Sequence, residues 1–222
     1  LDAGLDELRF SRPRFERQAD DEDGSPLLHV VHEVETRTGR RVGRLVQALR
    51  FDGGAVGLEV LFDLDPGLPE LPRVGLGAAL APGFETARWY GRGPHECYPD
   101  RKAGAALGVW ESSVDEMQVP YVLPQENGLR CDVRWAELSN GAAALRVDGR
   151  PAFGFAASHH ETARLWQAAH TYELVRRPET FLRLDAAQRG LGTASCGPDT
   201  LDRYRVYPGA YRLSLLLSPR SP

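Results

Sequence analysis

The sequence predicts an all-β fold: a large antiparallel β-sandwich in which residues 1–222 form a single domain with one short helix. Short segments rich in valine, leucine and phenylalanine recur along the chain, and some alternate apolar with polar residues. The 23 glycines and 16 prolines provide the frequent turns that many short strands require. A chain of 222 residues is long enough to bury the core of one such unit.

The predicted strands begin at residues 28–35 and follow one another at short intervals. Turn signals separate several of them, because Asp52-Gly53-Gly54, Asn140-Gly141 and Asp148-Gly149 all have the sequence of tight hairpin turns. The other predicted strands are residues 45–51, 56–64, 84–90, 129–138, 142–148, 151–156, 170–176, 180–185 and 210–217.

One segment interrupts this β pattern with a helical signal. Ser158 and Glu161 have the spacing of a capping box, and residues 162–169 can continue as one or two helical turns. The intervening His159 and His160 could suggest a metal site, but successive side chains of an extended segment point to opposite faces. No third ligand stands at a standard spacing, so the histidines are interpreted as part of a helix start.

The composition argues against nucleic-acid and membrane partners. The formal net charge is −4, and Lys102 is the only lysine, so no basic block is available for phosphate binding. No apolar run approaches the ~18 residues of a transmembrane helix.

Cys97, Cys131 and Cys196 form no CxxC pair, which predicts small buried side chains in a reducing, cytoplasmic compartment. The chain begins at Leu1 without methionine, which we interpret as a start inside a longer protein.

Residues 91–128 contain few strand signals and predict either a structured functional loop or an interface. A glycosidase needs two carboxylates about 5–10 Å apart, and the sequence pairs no two of its acidic residues in this way. Arg92 and Arg101 lie close to Glu96 and Asp100, which favours structural ion pairs that fix the loop. The other acidic residues considered for such a pair are Glu126, Asp132 and Asp185.

Two long segments carry a family resemblance. Residues 89–101, the first motif segment, read WYGRGPHECYPDR, and residues 120–130, the second motif segment, read PYVLPQENGLR. Both resemble signature segments of the β-galactosidases of glycoside hydrolase family 2, and shorter matches follow in the same order. The positions singled out from this resemblance are Trp89, Gly93, Pro94, Glu96, Tyr98, Asp100, Arg101, Pro124, Glu126, Asn127, Gly128, Arg130, His170 and Asp185.

The resemblance implies that the chain is the C-terminal domain of such an enzyme, a supersandwich related in fold to galactose mutarotase. It implies that the catalytic glutamates and a divalent cation such as magnesium lie in an upstream barrel domain. The motif residues of this chain would then be structural or interface residues, and the chain would hold neither a catalytic residue nor a metal ligand. The parent would be a retaining enzyme that hydrolyses terminal non-reducing β-D-galactose residues. The implied partners are its remaining domains or a large subunit, the β-galactoside at the domain edge, and further copies in a homo-oligomer.

Two departures from the family pattern stand out. Some members place a tryptophan in a late loop, where it stacks on the substrate sugar, and this chain has glycine at or near that position. The substrate-rim candidates here are Ser195, Cys196, Gly197 and Asp199. The family domain also starts some tens of residues before Leu1, which predicts an N-terminally truncated sheet with an unpaired edge.

Two other classes of function remain open. A stand-alone aldose epimerase needs a general acid and a general base, and His170 with Glu126 or Asp185 is the only pair that could be nominated. A carbohydrate-binding module would instead carry exposed aromatic residues on a concave face. The aromatic residues of this chain are interpreted as core or interface residues.

Overall fold

This computed structural model describes residues 4–18, 27–193 and 196–220. Within these ranges the chain forms twelve strands, one α-helix, α1 (Thr162–Gln167), and 3₁₀ turns at Thr171–Glu173 and Asp202–Tyr204. The strands are β1 (Leu8–Phe10), β2 (Arg14–Gln18), β3 (Leu27–Thr36), β4 (Arg41–Asp52), β5 (Ala55–Leu64), β6 (Arg73–Leu80), β7 (Thr86–Gly93), β8 (Ala106–Ser113), β9 (Arg130–Ser139), β10 (Ala144–Ser158), β11 (Thr180–Gln188) and β12 (Ala210–Arg220). The predicted all-β fold with one short helix is confirmed.

The strands form one antiparallel sheet that branches at β10. The main path runs β1-β3-β4-β5-β12-β10-β9-β7-β8, with β2 also on β3, and β11 joining β10 to β6. Residues 144–149 of β10 pair with β12, and residues 154–158 pair with β11. One end of the long strand β10 therefore continues the part of the sheet that contains β4, β5 and β12, and its other end continues the part that contains β11 and β6. Strand β9 pairs along the other edge of β10.

The two halves of the sheet pack face to face. Val60 of β5 and Leu213 of β12 belong to the same buried cluster as Trp89 of β7, Val133 of β9 and Phe155 of β10. Both edges of β5 are paired, with β4 and β12, and both edges of β7 are paired, with β8 and β9. Strands β5 and β7 therefore meet through their side chains and not through backbone hydrogen bonds. The predicted sandwich is therefore confirmed, and removal of this apolar surface from water is its main stabilising contribution.

Two of the three predicted hairpin turns are confirmed. The turn at 52–54 joins β4 to β5, and Gly53 and Gly54 adopt φ values of 52° and 88° that favour glycine. The turn at 140–143 joins β9 to β10. The predicted turn at Asp148-Gly149 is wrong, because both residues lie inside β10. A register shift against β9 between Asp148 and Phe153 accommodates the extra residues there as a bulge.

Other element boundaries also differ from the prediction. Strands β1, β2, β6 and β8 were not predicted. β6 is rich in glycine and alanine, and β8 lies inside the loop-like segment 91–128. The predicted strand at 170–176 is wrong. Its first residues form a 3₁₀ turn, because the Glu173 carboxylate turns back to accept the backbone N–H of Ala169 at 2.8 Å.

The helix is present, but the predicted capping box is wrong. Ser158 is still part of β10, and its hydroxyl accepts the backbone N–H of His160 at 3.0 Å. Glu161 occupies the N-cap position without a side-chain hydrogen bond, and α1 begins at the next residue. Across the described ranges, no helix has the length and apolar character needed to cross a membrane.

Candidate functional site

Glu96 lies in the first motif segment and binds four donors. Its Oε1 accepts hydrogen bonds from Arg101 Nη2 and from the Tyr121 hydroxyl. Its Oε2 accepts the backbone N–H of Gly128 at 2.8 Å and a longer bond from the Tyr98 hydroxyl at 3.5 Å. The carboxylate side chain is only 7% exposed. Glu96 is therefore a buried junction between the two motif segments, in agreement with the predicted ion pairing of this loop.

Tyr98 packs beneath the same ion pair. Its ring lies 5.4 Å from the Arg101 guanidinium carbon, and the side chain is almost fully buried. Burial, followed by the negative charge of Glu96, raises the pKa of Tyr98 well above its ordinary value of 10.0. The phenol therefore remains a hydrogen-bond donor throughout the neutral pH range.

Asp100 ties the first motif segment to the loop that follows β11. Its carboxylate accepts the backbone N–H groups of Leu191 at 3.1 Å and Gly192 at 2.7 Å. Gly190 is needed beside it, since a Cβ there would lie 2.6 Å from the Asp100 carboxyl carbon. These contacts hold residues 190–192 against the first motif segment.

Trp89 and Arg130 form a second junction between the motif segments. Trp89 is fully buried, and its indole N–H donates to the carbonyl of Arg92 at 3.0 Å. The guanidinium of Arg130 lies 5.2 Å from the centre of the indole ring and donates to the carbonyl of Gly128 at 2.8 Å. Burial lowers the pKa of Arg130 from its ordinary value, although the group remains a cation at neutral pH.

Close packing explains two glycines of the motifs. A Cβ on Gly93 would lie 2.7 Å from the Trp110 ring, and the following bond to Pro94 is cis. A Cβ on Gly128 would lie 2.9 Å from the Met117 carbonyl oxygen, and its φ of 80° also favours glycine. Larger residues at either position would displace a neighbour.

Arg183 connects the second motif segment to α1. Its side chain is only 4% exposed, and its Nε lies 3.1 Å from Oε1 of Glu126, which also accepts a hydrogen bond from Arg73 at 2.7 Å. The same guanidinium donates to the carbonyl of Asn127 at 3.2 Å and to the hydroxyl of Thr162 at 3.0 Å. Removing this one side chain would therefore remove a donor from both the second motif segment and the start of the helix.

The rest of the second motif segment is fixed by Asn127. Its Oδ1 accepts the backbone N–H of Val119 at 3.0 Å, and its Nδ2 donates to the carbonyl of Gln125 at 2.9 Å. Pro124, just before these residues, is also buried. The segment is thus held by bonds to its own backbone as well as by Arg183.

Sequence reasoning missed Arg73 and Arg183 as partners of the motif. The available signal was the order Leu-Arg-Leu-Asp at residues 182–185. The alternation places Arg183 and Asp185 on the face of the strand opposite to the leucines, but the same pattern is expected of a face in contact with solvent, so the burial of both residues is seen only in the structure.

Asp185 is the most deeply buried of the motif carboxylates. It is 2% exposed, its Oδ1 has no hydrogen-bond partner, and the nearest cation is Arg73 Nη1 at 3.9 Å. Burial raises its pKa from 3.8 to about 7, because the effect of burial exceeds that of Arg73. The carboxyl group is therefore partly protonated near neutrality.

This raised pKa predicts a pH-dependent stability. Between pH ~4 and ~7 the folded chain holds a proton on Asp185 that the unfolded chain has lost, so the free energy of unfolding should fall as the pH rises. The gap between the two pKa values corresponds to about 4 kcal/mol across this window. Urea unfolding at several pH values, compared between the wild type and Asp185→Asn, measures it. An unchanged slope in the variant would contradict the assignment.

The motif carboxylates are engaged by groups of this chain to different degrees. Glu96 and Asp100 are held by donors from the neighbouring loops, and Glu126 is held by two arginines. Asp185 faces none of them in a hydrogen bond or ion pair among the described residues.

Comparison with known proteins identifies the family. A family model described as "Beta galactosidase small chain" matches residues 3–217. The chain belongs to this family. A beta-galactosidase of Vibrio cholerae is 36% identical over 225 residues, covering 99% of this chain and 21% of that protein. A beta-galactosidase of Arthrobacter sp. is 39% identical over 150 residues, covering 65% of this chain and 15% of that protein.

The small-chain domain thus spans about one-fifth or less of the length of these relatives. Among solved structures, a galactose mutarotase-like protein from Lactobacillus casei aligns with a TM-score of 0.47 and 12% sequence identity. The alignment covers 93% of this chain and 73% of that protein.

Three of the substrate-rim candidates, Cys196, Gly197 and Asp199, lie among the described residues, in the part of the chain that follows Gly192. Ser195 lies outside the described residues, and Cys196 is exposed. Gly197 donates its backbone N–H to the carbonyl of Thr193 at 2.6 Å. The Asp199 carboxylate accepts bonds from Arg189 at 2.9 Å and Arg205 at 3.2 Å, and Arg189 lowers its pKa. A contact between this loop and sugar stays a prediction.

His170 is not joined to the acids nominated with it. Its Nδ1 lies 2.9 Å from the carboxylate of Glu173, and its ring stacks on Tyr172 at 5.0 Å. Among the described residues it makes no hydrogen bond or ion pair with Glu126 or Asp185. The carboxylate that pairs with His170 is therefore Glu173 and neither of the two acids nominated with it.

His159 has partners that the sequence spacing did not reveal. Its Nε2 and the carboxylates of Glu85 and Asp115 lie within 4.8 Å of one another, a possible metal-binding arrangement among the described residues. Arg176 already donates to Glu85 at 2.7 Å and to Asp115 at 3.1 Å. The Nδ1 atom of His159 donates to the carbonyl of Glu179 at 2.9 Å. A guanidinium therefore supplies the positive charge that these carboxylates need.

The cysteines follow the prediction in two of three cases. All three are free, and Cys97 and Cys131 are buried, whereas Cys196 is exposed, so the expected burial of Cys196 is wrong. The Sγ of Cys97 accepts the backbone N–H of Cys131 at 3.1 Å. The side-chain contact with Cys131 and the bond from the Cys131 backbone N–H lower the pKa of Cys97 to about 7, and the positive charge of Arg130 acts in the same direction.

Proposed function

We propose that this chain is the accessory, non-catalytic domain of a β-galactosidase that hydrolyses terminal non-reducing β-D-galactose residues. In this proposal the catalytic glutamates belong to another domain or subunit of the parent. The small-chain domain forms part of the wall of the active-site mouth, excludes water from it and supports the assembly of the enzyme, including contacts between copies. We also place the parent in the cytoplasm, which agrees with the three free thiols.

The bonding of the motif residues carries this proposal. The two segments that define the resemblance bind each other through Glu96 and through the packing of Arg130 on Trp89, and Asn127 binds the backbone around the second segment. Residues with this arrangement fix the shape of a surface. The relatives named beta-galactosidase are about five times longer or more, so they contain other domains on which such a surface can act.

Exposed apolar residues support a docking role. Large apolar side chains protrude from the second motif segment, from α1 and from the residues just after it. They are Val122 (94% exposed), Leu123 (64%), Trp166 (69%), Tyr172 (80%) and Val175 (75%). Arg183 bonds to both Asn127 and Thr162, so these segments adjoin at their bases. We propose that they bind the remaining domains of the parent, since exposed apolar groups of this size are typical of protein interfaces.

Complementation tests the proposed function. The purified chain is mixed with the upstream part of the parent, and hydrolysis of o-nitrophenyl β-D-galactoside is followed. We expect the upstream part to be weakly active or inactive alone and to gain activity that saturates with added chain. Failure of the chain to bind the upstream part, or binding without any gain in activity, would contradict the accessory role.

Trp166→Ser is expected to weaken this complementation. Loss of an interface aromatic side chain should raise the chain concentration needed for half-maximal activity by about tenfold, without lowering the free energy of unfolding. Phe51→Ser is the matched control, because Phe51 is also exposed but lies on the β4–β5 hairpin. Equal effects of the two substitutions would contradict a specific role for the α1 surface.

A further inference from the structure

Cys97 and Cys131 lie side by side in a small buried cluster that is separate from the main core. The other members of this cluster are Tyr98, Ala105 and Leu129. Cys97 belongs to the first motif segment, and Cys131 is the residue directly after the second motif segment. Neither thiol belongs to the proposed docking surface, so the pair is available for a different role.

Each sulfur atom is directed at the other residue. Sγ of Cys97 accepts the backbone N–H of Cys131 at 3.1 Å, and the Cys131 thiol donates to the carbonyl of Cys97 at 3.2 Å. The two side chains also contact each other. A buried cysteine that acts only as a small apolar group needs no such reciprocal contacts.

The backbones on which the two thiols stand are also held together. The backbone N–H of Cys97 donates to the carbonyl of Leu129, two residues before Cys131, at 2.8 Å. A disulfide forms without a large backbone movement only between side chains that point toward each other from neighbouring segments. The arrangement of Cys97 and Cys131 meets this requirement.

A cavity of about 280 Å³ gives small molecules a route to the pair. Cys131 lines this cavity, whereas Cys97 has no exposed surface of its own. Ala152 and Arg203 also line the cavity and are exposed, so it reaches the surface of the chain. Its charged lining residues are Lys102, Asp132, Asp185, Arg203 and Arg205. A cavity with such polar walls admits water and polar molecules of similar size, such as hydrogen peroxide.

We propose that Cys97 and Cys131 form a peroxide-sensitive thiol pair, in which oxidation to a disulfide locks the first motif segment to the start of β9. The pair is reduced at rest and returns to two thiols when a small thiol reductant is added. The thiol pair would act in this way whether or not the proposed function holds.

Oxidation takes place in two steps with a peroxide as the oxidant. The Cys131 thiolate attacks a peroxide oxygen, so that an S–O bond forms, the O–O bond breaks and the departing hydroxide takes up a proton as water. Sγ of Cys97 then attacks the Cys131 sulfur, so that the S–S bond forms and the S–O bond breaks. The second hydroxide leaves with the Cys97 proton as water. Two thiols are thus oxidised to one disulfide while one peroxide is reduced to two waters.

The thiolate that begins this reaction is available near neutral pH. Contact with Cys131 lowers the pKa of Cys97 to about 7, so above this pH the two sulfurs hold one proton between them. Contact with Cys97 raises the pKa of Cys131, because both cannot readily be ionised, while Lys102 favours the Cys131 thiolate. Transfer of the remaining proton to Cys97 therefore leaves a reactive thiolate at the cavity wall.

The disulfide closes a loop that contains the whole second motif segment. Closing such a loop reduces the conformational freedom of the unfolded chain, so the oxidised chain should unfold at a Tm about 5 °C higher than the reduced chain. Differential scanning calorimetry of the two forms measures the shift. An equal or lower Tm of the oxidised form would contradict the proposed lock.

Peptide mapping by mass spectrometry tests the site directly. The folded chain is treated with hydrogen peroxide, free thiols are blocked with iodoacetamide, and the chain is digested without reduction. We expect one predominant crosslink, between Cys97 and Cys131, with a loss of about 2 Da that dithiothreitol reverses. The rate of crosslinking should rise about tenfold from about pH 6 to about pH 8, as the thiolate forms.

Two substitutions sharpen the test. Cys196→Ser is the matched control, because Cys196 is exposed and lies outside the cluster, and the crosslink should form in it at a rate within about twofold of the wild type. Cys97→Ser should abolish the crosslink. Cys131 should then accumulate as sulfinic acid, which dithiothreitol does not reverse, since no second thiol is present to resolve the sulfenic acid.

Three outcomes in the wild-type chain would overturn the proposal. One is oxidation of Cys196 while Cys97 and Cys131 both remain thiols, which would leave the buried pair as packing groups only. Another is a predominant crosslink that includes Cys196, within one chain or between two chains. The third is conversion of Cys97 and Cys131 to sulfinic acids without a disulfide, which would show that the two sulfurs react independently.

Discussion

Replacing Glu96 with glutamine is expected to lower the free energy of unfolding by about 3 kcal/mol. The carboxylate accepts two bonds on each oxygen, from Arg101, Tyr121, Tyr98 and the backbone of Gly128. An amide can accept on only one side, so its N–H₂ group would face a donor and leave buried groups unpaired. The loss of the buried carboxylate–arginine pair adds to this cost.

Urea unfolding of Glu96→Gln beside Glu111→Gln measures the effect. Glu111 is an exposed glutamate of β8, so its substitution changes the charge equally and should alter stability by less than about 0.5 kcal/mol. If Glu96 were instead a proton donor to substrate, its substitution would leave stability nearly unchanged. Equal stability of the two variants would therefore contradict the structural role.

Arg183→Met is expected to have the second large effect, also about 3 kcal/mol. The guanidinium is buried between the second motif segment and α1. It donates hydrogen bonds to Asn127 and Thr162 and forms an ion pair with Glu126. Methionine fills much of the same volume but leaves the Asn127 carbonyl and the Thr162 hydroxyl without this donor. Glu126 retains Arg73, which limits the loss.

Hydrogen exchange should locate the Arg183→Met effect. Protection is expected to fall first in the second motif segment and at the start of α1, while the β4–β5 hairpin remains protected. Arg212→Met is the matched control, because Arg212 is an exposed arginine of β12. A uniform loss of protection along the chain would show that Arg183 does not act as a local clamp.

The sequence predicts the strands of this fold where local patterns are strong. The Asp-Gly-Gly turn and the alternating apolar residues of β3 locate that part of the sheet correctly, because both signals depend on neighbouring residues. β8 was missed because its surroundings resemble a loop. It is held by pairing with β7 rather than by its own propensity.

The candidate site could be predicted only in part. The ion pair of Glu96 with Arg101 was expected, since the two residues are five positions apart. The bond between Arg73 and Glu126 joins residues 53 positions apart, and no local pattern reports such a contact. The capping-box prediction failed for the same reason, because pairing with β11 keeps Ser158 in a strand.

The most direct test of the central claim is the hydrolysis of o-nitrophenyl β-D-galactoside by the purified chain alone. The motif carboxylates hold the fold together, so the expected rate is that of buffer without protein, at every chain concentration and pH tested. A rate proportional to chain concentration, and lost in Glu126→Gln or Asp185→Asn while these variants remain folded, would contradict the account. It would mean that this chain carries its own catalytic carboxylates.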